Sequence, residues 1–263
     1  MDLKLTKKIA LVTGSTAGIG NAIAASLARE GATVIVNGRS AAAVEGAVAA
    51  MKAEAKGDVI GFAGDLSAAS VAEALVRQHP VVDILVNNLG IFEVKPFEEI
   101  SDADWQRFFD VNVLSGARLS RLYLPAMRKR NWGRIIFISS ESGYHIPTEM
   151  IHYGMTKAAQ IAVARGLAET TAGTGITVNS VLPVPTRSRG VGDFVAEMAA
   201  KSGKSAQTVE NEFFKTARPT SLLQRFATPE EVAAMVTYVA SPVSSATNGA
   251  ALRVDGGTIK TAF

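Results

Sequence analysis

Cysteine is absent from the 263 residues, which excludes structural disulfides, thiolate chemistry and cysteine-ligated metals, and no metal site is expected. Charged residues are few, at 19 %, which leaves surface that subunit contacts can cover. No run approaches the ~20 apolar residues of a membrane helix. After Met1–Lys8 the stretch Ile9–Thr13 is too short for the core of a secretion signal. The expectation is a soluble, cytoplasmic protein that meets no membrane. The formal net charge is +3 and the basic residues are dispersed, so no nucleic-acid footprint is expected either. Linkers rich in Pro, Gly or Ser, repeats and low-complexity segments are also missing, which makes 1–263 a single domain. Apolar residues, at 48 %, are ample for its core.

Short β-rich runs alternate with alanine-rich helical stretches. Strands are expected at Ile9–Thr13, Thr33–Asn37, Val59–Ala63, Ile84–Asn87, Arg134–Ser139, Thr177–Leu182 and Ala251–Val254. Helices are expected at Ile19–Glu30, Ala41–Ala55, Val71–Gln78, Asp102–Arg130, Ile151–Thr171 and Pro229–Ala240. Such alternation implies an α/β fold of right-handed βαβ units, a parallel sheet covered on both faces. The stretch 184–226 breaks the rhythm with two amphipathic pieces, around Phe194–Ala200 and Val209–Ala217. An excursion of that length usually carries function, and it emerges at the carboxyl edge of the sheet, where open α/β folds bind ligands. It is read as a cover over the substrate.

Thr13-Gly14-Ser15-Thr16-Ala17-Gly18-Ile19-Gly20 lies between the first strand and the first helix. Glycines there permit a tight turn and a close approach of backbone to a pyrophosphate, and the helix N-terminus offers free N–H groups. Gly14, Ser15, Thr16, Gly18, Ile19 and Gly20 are therefore candidate dinucleotide-binding residues. The second strand ends Asn37-Gly38-Arg39-Ser40, without the carboxylate that would hold the adenosine ribose hydroxyls. Arg39, with Ser40 beside it, can pair with a 2′-phosphate. NADP(H) is favoured over NAD(H), which remains open. Asp65, followed by Leu66, can accept from the adenine amino group or serve as a turn aspartate. Asn88 and Gly90 close the fourth strand, the asparagine bracing its neighbours and the glycine giving the cofactor room.

Tyr153 and Lys157 are four residues apart and share a helix face. A phenol with a pKa near 10 is a poor base, but an adjacent ammonium and the oxidised nicotinamide ring favour the phenolate. A fall of about two to three units corresponds to roughly 3–4 kcal/mol. Lys157 fits that role and can also hold the nicotinamide ribose, and Ser140 can donate to the substrate oxygen. His145 and His152 are rival bases without a matching nucleophile. Glu141, Ser142, Tyr144, Ile146, Met150 and His152, between the serine and the tyrosine, are expected to face the pocket. Phe194, Met198, Phe213 and Phe214 are expected to close over it.

Taken together, Thr13-Gly14-x-x-x-Gly18-Ile19-Gly20, Asn87-Asn88-x-Gly90, Val111-Asn112-Val113, the Ser140, Tyr153, Lys157 set, Asn179-Ser180-Val181-x-Pro183 and Val254-Asp255-Gly256-Gly257 resemble the short-chain dehydrogenases/reductases from about Lys7 to Gly257. The resemblance implies a Rossmann-type doubly wound sheet of about seven strands in the order 3-2-1-4-5-6-7, and a homotetramer. It also implies a catalytic set of Asn112, Ser140, Tyr153 and Lys157, with Asn112 holding a water near Lys157 in a proton relay. Pro183 and Thr186 join the cofactor set, with Thr186 and Ser188 both open as partners of the carboxamide. Val184 stands where the family has glycine, so the 183–188 loop is expected to take its own path. The expected activity is NAD(P)(H)-dependent interconversion of a carbonyl compound and an alcohol, by reduction of a hydrophobic small molecule. A non-catalytic dinucleotide sensor is the alternative.

Overall fold

Strands joined in parallel by helices must be covered on both faces, and their side chains alternate between the two covers. The computed structural model describes residues 1–262, with the side chains at 189, 190, 193 and 194 outside the description. Its strands are β1 (Ile9–Val12), β2 (Thr33–Gly38), β3 (Val59–Ala63), β4 (Ile84–Asn87), β5 (Gly133–Ile138), β6 (Ile176–Pro183) and β7 (Ala251–Val254). They form one parallel sheet in the order β3-β2-β1-β4-β5-β6-β7, as the resemblance implies. Ala10, Val12, Val34, Val36, Ile84, Val86, Ile136 and Ile138 point to one core. There they meet α1 (Gly18–Arg29), α2 (Ala41–Lys52) and α9 (Pro229–Ala240). The intervening Leu11, Ile35, Leu85, Ile135 and Phe137 point to the other, against α3 (Ala69–Gln78), α5 (Ser115–Arg130) and α6 (Ile151–Glu169).

Local chemistry sets the helix ends. Thr228 and Glu231 form a capping box before α9, with Pro229 in its first turn. Ser101 and Asp104 do the same for α4 (Asp102–Phe109). The single helix expected over Asp102–Arg130 is divided: a π-helical turn at Asp110–Leu114 separates α4 from α5. At that turn Asn112 is held by Ile91 and Thr156, contacts across the sequence that a helical period does not carry.

The excursion folds into α7 (Arg189–Ser202) and α8 (Ala206–Thr216). Its two ends meet: Thr186 bridges Ala227, Arg187 N donates to Ala227 O at 2.8 Å, and Ala227 N to Pro185 O at 3.2 Å. Within it, buried Glu210 accepts from Arg187 at 2.7 Å and from the Phe226 amide at 3.1 Å.

Candidate active site

The turn between β1 and α1 depends on its glycines. Gly14 and Gly18 have φ of 60° and 58°, in the left-handed region that disfavours side chains. A Cβ on Gly20 would lie 2.4 Å from Asn88 Nδ2 and 2.5 Å from Gly14 O. Asn88, at the end of β4, clasps the turn by donating to Thr13 O at 2.9 Å and Gly14 O at 3.1 Å. Ala17 caps α1 without a side-chain hydrogen bond, so the first-turn N–H groups keep no side-chain acceptor. Tight glycines, an open helix N-terminus and the clasp together fit a pyrophosphate. Ser15 differs from expectation. It is buried, its amide donates to Asn37 O at 2.8 Å, its hydroxyl donates to Val12 O at 2.7 Å and accepts from Asn37 N at 2.9 Å. It braces the turn from inside, leaving Thr16 and Ile19 on the partly exposed side.

At the adenosine end, Arg39 and Ser40 are exposed, and Ser40 caps α2. Asp65 accepts from the Ser67 amide at 3.0 Å and its hydroxyl at 2.7 Å. That turn geometry is the main cause holding its carboxyl below the usual value. Leu66 is buried in the core beneath it. Val184 continues the sheet edge, its amide donating to Val254 O at 2.9 Å. Thr186 is buried and donates to Val184 O at 2.8 Å, whereas Ser188 caps α7. Pro183 ends β6 and is paired with Val254.

The second cluster forms where β5 and α6 meet. Ser139 donates to Lys157 O at 2.8 Å, which fixes the helix against the strand end. Ser140 accepts from Ser142 N at 3.1 Å, so its own proton is free to donate. Lys157 is only 5 % exposed. Its ammonium donates to Ile138 O at 2.9 Å and Gln160 Oε1 at 3.1 Å, 5.6 Å from the centre of the Tyr153 ring. Gly90 makes room here, since a Cβ would meet both Asn112 Oδ1 and Lys157 Nζ at 3.5 Å. Asn112 sits in the π turn. Its side chain accepts from Ile91 N at 2.8 Å and donates to Ile91 O at 3.0 Å and Thr156 Oγ1 at 2.9 Å.

Burial governs the charges. It pulls Lys157 down to about 8 and pushes Tyr153 up to about 12, with Ser140 opposing the rise. Desolvation is the main cause of the raised phenol in the ligand-free protein, where the near donors of the Lys157 ammonium point to Ile138 O and Gln160 Oε1.

Several residues expected to face the pocket are packed into the interior. His152 is fully buried between Phe108 and Trp105, ring centres 4.0 and 6.1 Å away, with neither nitrogen hydrogen-bonded. Glu141 is 1 % exposed and accepts from Arg218 Nε at 2.9 Å, the arginine being 4 % exposed. Burial raises its carboxyl and Arg218 opposes the rise. Ser142 is buried too. Phe213 and Phe214 pack against Phe226, ring centres 5.3 and 5.1 Å apart, within the excursion. Met198 is exposed, and Phe194 lies outside the described side chains. Phe92, not anticipated from the sequence, is exposed with its ring 6.4 Å from that of Tyr153. Gln160 was also missed, although its place three residues after Lys157 puts both on one helix face.

Residues 8–199 match the family model for short chain dehydrogenases, and the chain belongs to that family. It is 48 % identical over 263 residues to the uncharacterized oxidoreductase YvrD of Bacillus subtilis, covering 99 % of each chain. It superposes on L-sorbose reductase from Gluconobacter frateurii, a complex with NADPH and L-sorbose, with a TM-score of 0.93 and 29 % identity, covering 99 % and 100 % of the chains. A 7α-hydroxysteroid dehydrogenase complexed with NADH matches with a TM-score of 0.83 and 28 % identity, covering 99 % and 97 %. The protein is an NAD(P)-dependent oxidoreductase of the short-chain dehydrogenase/reductase family acting on a small molecule. Among the described residues no helix is long and apolar enough to cross a membrane.

Proposed function

We propose that the enzyme reduces a hydrophobic ketone or aldehyde to the alcohol, with Tyr153 as general acid and NADPH as the favoured cofactor. The bound dinucleotide supplies the hydride. Gly14, Thr16, Gly18, Ile19 and Gly20 with the α1 N-terminus hold its pyrophosphate. Arg39 and Ser40 take the 2′-phosphate, Asp65 and Leu66 the adenine side, and Asn88, Gly90, Pro183 and Thr186 border the nicotinamide half. Ser140 donates a hydrogen bond to the substrate oxygen, and Tyr153 delivers its proton to the same atom. The Lys157 ammonium stabilises the tyrosinate left behind, and Asn112 keeps the lysine's surroundings in register.

The observation that carries this reading is the grouping of Ser140, Tyr153 and Lys157 where β5 meets α6, with the lysine ammonium 5.6 Å from the centre of the Tyr153 ring. With its phenol at about 12, the ligand-free protein presents the acid form that a reduction consumes. Arg39 supports NADPH, since it is exposed and joins none of the ion pairs among the described residues. Phe92, Tyr144 and Ile146, all exposed, support an apolar substrate, and the family resemblance supports a homotetramer. The test is NADPH consumption across a panel of aromatic and aliphatic carbonyl compounds, repeated with Tyr153→Phe. Loss of at least ~100-fold in kcat is expected; unchanged turnover would make the tyrosine a bystander and favour the sensor reading.

A further inference from the structure

A buried ammonium has three protons to place, and the groups that accept them set both its position and its basicity. Lys157 places one on Ile138 O and one on Gln160 Oε1. Gln160 is itself 1 % exposed, and its Nε2 donates to the backbone carbonyl of Asn112 at 2.6 Å. The sense of this amide is fixed by chemistry. Lys157 can only donate and a carbonyl can only accept, so a flipped amide would oppose donor to donor and acceptor to acceptor. Asn112 lies inside the π turn, where the helical ladder is interrupted and a carbonyl is released to a side-chain donor. The family resemblance places a water beside Lys157 and Asn112. In this chain the link between them is a glutamine side chain.

We propose that Gln160 is a positioning residue for the reaction, its amide tying the Lys157 ammonium to the π turn and holding it beneath Tyr153. The inference rests on the proposed role of Tyr153 and Lys157 but concerns how the lysine is held. The fixed amide removes the freedom a mobile water would leave, and it supplies the charged lysine with an acceptor that burial otherwise denies it. The ammonium faces the Tyr153 ring, and desolvation is the cause of the lysine's lowered basicity, so among the described residues no neighbouring charge offsets an acceptor taken away.

The test is a titration of Lys157 by NMR in protein labelled with 13C-lysine, its signal assigned by comparison with Lys157→Met. Gln160→Met keeps the length of the side chain without the amide, and Gln160→Leu is a second apolar replacement. In each folded variant the Lys157 pKa is expected to fall about one further unit, a tenfold loss of proton affinity. The kcat of carbonyl reduction is expected to fall about tenfold or more, with the substrate KM changed much less. A glutamine that only packs would lower the melting temperature and leave the titration in place. That result, in either variant, overturns the proposal. The titration needs no substrate, so a failure of the reaction assigned to Tyr153, seen as full activity in Tyr153→Phe, is distinguishable from a failure of this inference.

Discussion

Lys157→Met is expected to change how stability depends on pH. In the folded protein the amine is held at about 8, against 10.5 for a free lysine, because it is buried. Between these values the unfolded chain binds more protons than the native one, so native stability rises with pH across the window. Below pH 8 the cost of burying the charge is fully present; above 10.5 it is gone. Integrating the two titrations gives a gain of about 2.5 kcal/mol between pH 7 and pH 10 from this one group. Tyr153 acts in the opposite sense, because a phenol raised to about 12 makes stability fall with pH above about 10, so the comparison stops at pH 10. The assay is urea unfolding of both proteins at pH 7 and pH 10, at one protein concentration. The variant loses the hydrogen bonds to Ile138 O and Gln160 Oε1, which shifts both pH values alike. The stability difference, parent minus variant, is expected to be about 2.5 kcal/mol more favourable to the parent at pH 10 than at pH 7. A difference that does not move with pH refutes the claim that the lysine is held by burial in a depressed state.

Two further outcomes are expected. Arg39→Ala should raise the KM for NADPH about ten- to a hundredfold, the worth of a lost charge-assisted hydrogen bond, and leave the KM for NADH unchanged; equal effects on both would remove the arginine from the 2′-phosphate. Arg218→Met leaves Glu141 buried without its cation and should cost about 3–5 kcal/mol at neutral pH. Glu141 already has a raised carboxyl, so the folded variant takes up a proton as pH falls, and urea melts should show the deficit shrinking between pH 7 and pH 5. A constant deficit would mean that the pair is not electrostatically coupled.

The sheet was legible because each strand run is bracketed by turn residues and alternates with an alanine-rich helix. All seven strands fall within a residue of the expected bounds at each end. The glycine turn, Asn88 and the Ser140, Tyr153 and Lys157 group were legible because their spacing is imposed by one strand end and one helix face. What stayed hidden depends on contacts across sequence. Nothing local marks Ser15 as turned inward, since its partner is Asn37, 22 residues away. Glu141 reads as a pocket residue until Arg218, 77 positions on, is seen to fold over it. His152 follows the helical period of a pocket face, yet α4 supplies Phe108 and Trp105 to cover it. The raised phenol of Tyr153 in the ligand-free protein stayed hidden for the same reason. Charge proximity can be read from a four-residue spacing, but desolvation comes from the whole surrounding fold.

The pinched neck at Thr186 and Ala227 has a consequence for how such an enzyme diversifies. A segment whose ends already touch adds little closure entropy when it is lengthened or rebuilt. The α7–α8 unit can therefore be exchanged like a cartridge while the sheet stays in place. The buried contact of Arg218 with Glu141 is one that any transplanted cartridge must carry with it.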